Sequence, residues 1–95
     1  MENFEWNDNK RLSNVEKHGI DFLDAIEVFS DPDRIELESP REQEVRVQTI
    51  GKLNAGLIIL VVWVYRHKKK RIISARCASR KERSIYIELG GSDEE

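Results

Sequence analysis

Leu57-Ile58-Ile59-Leu60-Val61-Val62-Trp63-Val64-Tyr65-Arg66-His67-Lys68-Lys69-Lys70-Arg71-Ile72-Ile73-Ser74-Ala75-Arg76 is the stretch on which the fold turns. From Leu57 to Tyr65 it is apolar without alternation. That run has about half the length of a membrane-spanning helix. Its Val, Ile and aromatic content favours an extended strand covered on both faces, the central strand of a sheet. His67 to Lys70 is long enough only for a turn, so Arg71 to Arg76 returns as a further strand. A parallel return needs a crossover of about a dozen residues or more, so this pairing is predicted to be antiparallel.

Working outward, Asn54-Ala55-Gly56 supplies a turn before the central strand. Val45, Val47 and Thr49 alternate with Arg46, Gln48 and Ile50, a period-two run. Ile35 and Leu37 alternate with acids until Ser39-Pro40-Arg41 breaks the pattern. Downstream, Ser79-Arg80-Lys81-Glu82 matches a capping box and opens a helix expected to bury Ile85 and Leu89. At the start of the chain, Phe4 to Trp6 reads as a short edge strand or a packed lead-in. Asn7 or Asp8 then caps a first helix running to about His18, with Gly19 as its stop. Asp21 caps a second helix with Phe22, Ala25, Ile26 and Phe29 as one apolar stripe, ended by Asp31-Pro32-Asp33. The expected architecture is α+β, with two N-terminal helices and a C-terminal helix packed on an antiparallel sheet of about four strands. Residues 1–89 form one domain in this reading, and 90–95 a flexible acidic tail.

Ninety-five residues fit one domain with a modest core. The net charge of −2 conceals an asymmetry. Residues 66–83 carry nine Lys or Arg against one acid, Glu82, while the remainder holds seven bases against seventeen acids. A basic segment on an acidic body attracts phosphate backbones, although a solvated hairpin and helix carry the same signature. The single cysteine, Cys77, cannot form an internal disulfide, and nothing demands an oxidising compartment. Met1-Glu2-Asn3-Phe4-Glu5-Trp6 is acidic and unlike a signal peptide, so a cytoplasmic protein without membrane attachment is expected.

Two constellations could carry chemistry. On the first helix, Lys10, Asn14, Lys17 and His18 fall within an arc of about 100°, with Leu12 and Val15 expected to face the core. Two cations, an amide and an imidazole on one face can grip a phosphate and move a proton. A solvated face, with His18 favoured by the helix dipole, is the plainer alternative. On the strands, Arg46, Arg66, Arg71 and Arg76 gather near one sheet end, with Glu44 beside Arg46. Guanidinium forks suit phosphate, but structural ion pairs such as Arg76 with Glu82 or Arg46 with Glu44 explain single arginines equally well. Cys77 precedes a helix N-terminus without an identifiable base. His18, His67 and Cys77 lack metal-ligand spacing, and there is no Gly-rich phosphate loop, nucleophile elbow or HExxH, so neither metal nor cofactor is expected. Trp63 and Tyr65 read as core or sheet-face aromatics.

Three stretches resemble the BrnT family of type II toxins. They are Phe4-x-Trp6-Asn7-x-x-Lys10-x-x-x-Asn14-x-x-Lys17-His18-Gly19-Ile20 with the Phe22, Ala25, Phe29 stripe and Asp31-Pro32; Glu44-x-Arg46 with Ile50-Gly51; and Arg71-Ile72-Ile73-Ser74-Ala75-Arg76-x-Ala78 with Glu82-Arg83 and Tyr86. The resemblance implies a RelE-like fold, metal-independent RNA cleavage that stops translation, and a BrnA-like antitoxin that forms a hetero-oligomer with the toxin and alone contacts operator DNA. By position it implies Lys10, Lys17, His18, Glu44, Arg46, Arg66 and Arg76 as the functional set. Together with the residue reading, His18, Glu44, Arg46 and Arg76 are expected to be catalytic, and Lys10, Lys17, Arg66 and Arg71 to hold RNA phosphate. Glu44 and His18 would serve as base and acid in either order. Val47 stands where the family commonly has an aromatic, and Trp63 where it usually has a tyrosine three residues before Arg66. Two other classes compete with the enzyme: a nucleic-acid-binding module without chemistry, and a protein-interaction subunit.

Overall fold

The computed structural model describes residues 3–40 and 44–90. The elements are β1 (Phe4–Glu5), α1 (Asp8–His18), α2 (Phe22–Ala25), a 3-10 segment (Ile26–Ser30), β2 (Ile35–Pro40), β3 (Val45–Lys52), β4 (Ile58–Arg66), β5 (Lys69–Cys77) and α3 (Arg80–Leu89). The α+β expectation holds, but the sheet is not the antiparallel one of about four strands. It has five strands in the order β1-β5-β4-β3-β2 and is mixed, because β1 pairs parallel with β5 through Phe4↔Lys70 and Glu5↔Arg71. The short turns do make β2 to β5 antiparallel. The parallel strand arrives from the other end of the chain, with ample length for a crossover. The expected second N-terminal helix is one α-turn, Phe22–Ala25, that tightens into the 3-10 segment.

The central strand is β4, as its apolar run requires. Ile59, Val61 and Trp63 point to one face and join Ile20, Phe22, Ala25, Val28, Ile72 and Ala75 in the main core. Leu60 points to the other and meets Ile50 and Tyr86 under α3. Trp63 donates its indole N–H to the hydroxyl of Thr49 at 2.8 Å, which satisfies the two polar atoms inside the core. Gly51 is required by close approach, since a Cβ there would lie 2.8 Å from the Cβ of Val28.

α1 does not bury Leu12 and Val15; they are 62% and 40% exposed. The buried residue is Asn14. Its amide donates to the carbonyls of Ile20 and Ala75 and accepts from the Ala75 N–H. α1 is therefore fastened by a polar clamp along the outer edge of β5, where the two-residue β1 leaves backbone groups unpaired. In α3 the capping box forms as predicted, but Tyr86 is the buried residue and Leu89 is 68% exposed. The Tyr86 hydroxyl donates to Asp31 at 2.7 Å, and the same carboxylate accepts from the N–H groups of Lys52 and Asp33. Burial pushes the Asp31 carboxyl up, but these bonds outweigh it and hold the group below its ordinary value. Burial and Asp31 together keep the Tyr86 phenol protonated well above its usual range. Gly90 caps α3 and is buried. Positions 91–95 of the expected tail lie outside the described residues.

Candidate nucleic-acid interface

Strand parity decides which arginines can meet. Arg71 and Arg76 are five residues apart and would face opposite ways on a regular strand. A bulge changes this. Val62 pairs with Ser74 and Trp63 with Ile72, leaving Ile73 as an extra residue. Ile72 and Ala75 thereby both reach the main core, and Arg71, Ser74 and Arg76 share the opposite face. Arg46 lies opposite Val64, which lies opposite Arg71, which lies beside Glu5. Arg46, Val64, Arg71 and Glu5 thus form one row across four strands. Arg66 and Lys69 pair on the same face beyond it.

α3 covers one end of this face, packing on Ile35, Ile50, Ile58 and Leu60. The other end, with the Arg46 row and the β4–β5 turn, carries no helix among the described residues. Val64 is fully buried in the middle of the row. The backbones of Arg46 and Arg71 are two strand spacings apart, about 10 Å, so both long side chains can close over Val64 on one anion.

The arginines differ in what already holds them. Arg76 forms a two-pronged pair with Glu82, Nη1 to Oε1 and Nη2 to Oε2 both at 2.9 Å. Arg76 draws the Glu82 carboxyl below its ordinary value, with burial opposing, and Glu82 also accepts the Ser79 N–H of the capping box. Arg66 bonds both oxygens of Glu44, at 3.1 and 3.3 Å. Arg71 bonds Glu5 at 3.1 Å, and His67 Nδ1 approaches the same Glu5 oxygen at 3.5 Å. Burial pushes the Glu5 carboxyl up, and the Arg71 hydrogen bond, with His67 close by, brings it below its ordinary value. Arg46 is different again. Its Nε is buried and has no hydrogen-bond partner among the described residues. An unsatisfied buried donor costs about 1–3 kcal/mol, more when charged, and is relieved by any acceptor that reaches it.

The structure brings Glu44, Arg46, Arg66 and Arg71 to the open end of the face. Arg76 stands about four residues further along, under the start of α3, roughly 13 Å from the row. On α1, Arg11 bonds Asp21 at the start of α2, at 2.8 and 3.0 Å. That turns the flank of Arg11 and His18 toward the helix-covered face. Lys10 and Lys17 occupy the flank on the other side of Asn14, with Lys17 in the last turn beside His18. His18 is exposed in the last turn of α1, which runs alongside β5, whereas Glu44 precedes the start of β3. Because β3 and β5 run the same way, the two residues lie at opposite ends of the sheet, about 20 Å or more apart. They do not meet over one phosphate. Of the two pairs weighed from the sequence, Arg76–Glu82 forms, while Glu44 takes Arg66 rather than Arg46.

Glu5 and His67 had no part in the sequence assignment of the site. Their signal was non-local, since Glu5 meets Arg71 across 66 positions. A cavity of about 460 Å³ opens on the helix-covered face between Phe4, Ile26, Phe29, Ser30, Arg34 and Lys70. It contains none of the arginines just described. Among the described residues no three His, Cys, Asp or Glu cluster closely enough to hold a metal, and no helix is long and apolar enough to cross a membrane.

Residues 6–82 match the model of a family described as the ribonuclease toxin BrnT of type II toxin–antitoxin systems. The fold matches the crystal structure of the Brucella abortus ribonuclease toxin BrnT with a TM-score of 0.63 and 29% identity, over 84% of this chain and 100% of that one. Comparison with curated proteins returns no significant match.

Proposed function

This chain belongs to the BrnT family, the ribonuclease toxins of type II toxin–antitoxin systems, and from that premise we propose that it cleaves RNA without a metal on the open end of its arginine face. The observation that carries the reading is the buried Nε of Arg46, without a partner among the described residues and one Val64 away from Arg71. A phosphodiester oxygen is an acceptor of the right charge for that position. In the proposed reaction Glu44 takes the proton of a ribose 2′-hydroxyl, whose oxygen attacks the adjacent phosphorus. Arg46, Arg66 and Arg71 stabilise the charge gathered on the phosphorane-like transition state, a preorganised electrostatic contribution of about two to three orders of magnitude per donor. Arg76, Lys10 and Lys17 extend the track and hold flanking RNA backbone, while His18 stays outside it.

Family membership carries with it an antitoxin partner. We propose further that this partner is BrnA-like, forms a hetero-oligomer with the toxin and supplies the contacts to operator DNA, and that cleavage in the cytoplasm stops translation. The test is cleavage of a labelled RNA by the purified chain in EDTA. Cleavage persists in chelator and falls about 100-fold or more in Arg46→Ala at unchanged melting temperature. Loss of cleavage on chelation overturns metal independence. Salt-sensitive binding of RNA without any product replaces the enzyme by a binding module.

A further inference from the structure

The leaving 5′-oxygen of such a reaction needs a proton, and His18 lies at the wrong end of the sheet from Glu44 to give it. The other histidine does not. His67 sits in the β4–β5 turn, next in sequence to Arg66, and its Nδ1 is 3.5 Å from the Glu5 oxygen that also binds Arg71. One carboxylate oxygen therefore ties an imidazole to the end of the arginine row. A carboxylate beside Nδ1 orients the ring by charge and leaves Nε2 for another partner. The side chain is 74% exposed, so a bound RNA can reach it.

The backbone at this position is a second observation. His67 and Lys68 have φ of 56° and 61°, both in the left-handed region. Two-residue hairpin turns of this shape favour Asn-Gly or Gly-Gly, because other L residues adopt positive φ only against a steric penalty. This turn has no glycine and presents an imidazole and an ammonium instead. Residues kept in such a conformation cluster where a side chain has to be aimed.

Resting on the ribonuclease reading above, we propose that His67, oriented by Glu5, is the general acid of the cleavage. As the 2′-oxygen forms its bond to phosphorus and Glu44 holds the 2′-hydroxyl proton, the bond from phosphorus to the 5′-oxygen breaks. Its electron pair stays on that oxygen, which takes the proton of the His67 imidazolium. The products are a 2′,3′-cyclic phosphate and a 5′-hydroxyl. Among the described residues, the charged groups around the imidazole are Glu5 from β1, Arg71 from β5, and Arg66, Lys68 and Lys69 from its own hairpin, with Glu44 beyond Arg66.

The experiment uses the full chain and two RNA substrates, one ordinary and one with sulfur replacing the bridging 5′-oxygen at the cleaved bond. A thiolate leaves without prior protonation, being far less basic than an alkoxide. His67→Ala is expected to slow cleavage of the ordinary RNA about 100- to 10,000-fold and to cut the sulfur-bridged RNA within about 10-fold of the wild-type rate. Glu5→Gln is expected to slow cleavage of the ordinary RNA more than of the sulfur-bridged RNA without abolishing either activity. Equal losses on both substrates, or no loss on either, overturn the role of His67. Failure of the wild-type chain to cut either RNA overturns the ribonuclease reading itself and takes this proposal with it.

Discussion

The two ends of the arginine face use the same side chain in opposite ways. Under α3, Arg76 is saturated: its two terminal nitrogens meet the two oxygens of Glu82, a carboxylate already built into the helix cap. At the open end, Arg46 keeps a buried Nε without a partner among the described residues, and Arg66 and Arg71 are held by partly exposed carboxylates. A guanidinium with both prongs occupied contributes to the scaffold; one with a buried, unpaired donor bears a cost that an acceptor would relieve. Sequence position does not separate them, because each arginine sits on a strand near a carboxylate.

The comparison breaks most readily at Arg46. Arg46→Ala is expected to lower RNA cleavage by about 100- to 1,000-fold while leaving the melting temperature unchanged or slightly raised, because it removes an unsatisfied buried donor. A melting temperature that falls with activity would make Arg46 structural. At the closed end the expectation reverses. Tyr86→Phe deletes a hydrogen bond to the Asp31 carboxylate, worth about 1.5–3 kcal/mol for a charged acceptor, so calorimetry should show the melting temperature falling by about 6 °C or more with cleavage per folded molecule unchanged.

Acid sharpens the same contrast. Asp31 and Glu82 both have folded-state values below their ordinary ones. A carboxyl depressed on folding stabilises the protein above its unfolded value, and this contribution is lost as pH falls through the folded value. Melting temperature should therefore be flat above about pH 5 and drop below about pH 4, with a smaller drop in Asp31→Asn. A rise on acidification contradicts the assignment. The smallest effect is expected at Arg76. Its pair with Glu82 is partly exposed, so Arg76→Ala should cost about 1 kcal/mol or less by chemical denaturation and reduce cleavage less than Arg46→Ala does.

Local pattern carried much of this fold into view. The apolar run of β4, the alternation of β3, the Asn54–Gly56 turn and the Ser79 capping box are short-range signals, and each element stands where its pattern put it. The misses are long-range. Nothing local to Phe4–Glu5 says that it pairs parallel with β5. Leu12 and Val15 looked like a core stripe, but α1 is held by the polar clamp of Asn14, a residue whose amide can as easily face water. For the site, the residue types were legible and their grouping was not. The bulge at Ile73, which brings Arg71 and Arg76 to one face, has no signature in the sequence. Helix periodicity put His18 beside the lysines, yet it could not say that Glu44 would lie at the far end of the sheet.

The parallel pairing of β1 with β5 has a consequence for the life of the chain. The row of Arg46, Val64, Arg71 and Glu5 draws on β1 and on β5, with Glu5 and Arg71 separated by 66 positions. Glu5 must wait for Arg71, and the entropy of closing so long a loop has to be met before that contact returns anything. A chain made only as far as β4 carries the acidic part of this sequence without the basic hairpin. The arginine row is thus complete only once β5 has been made and has paired with β1.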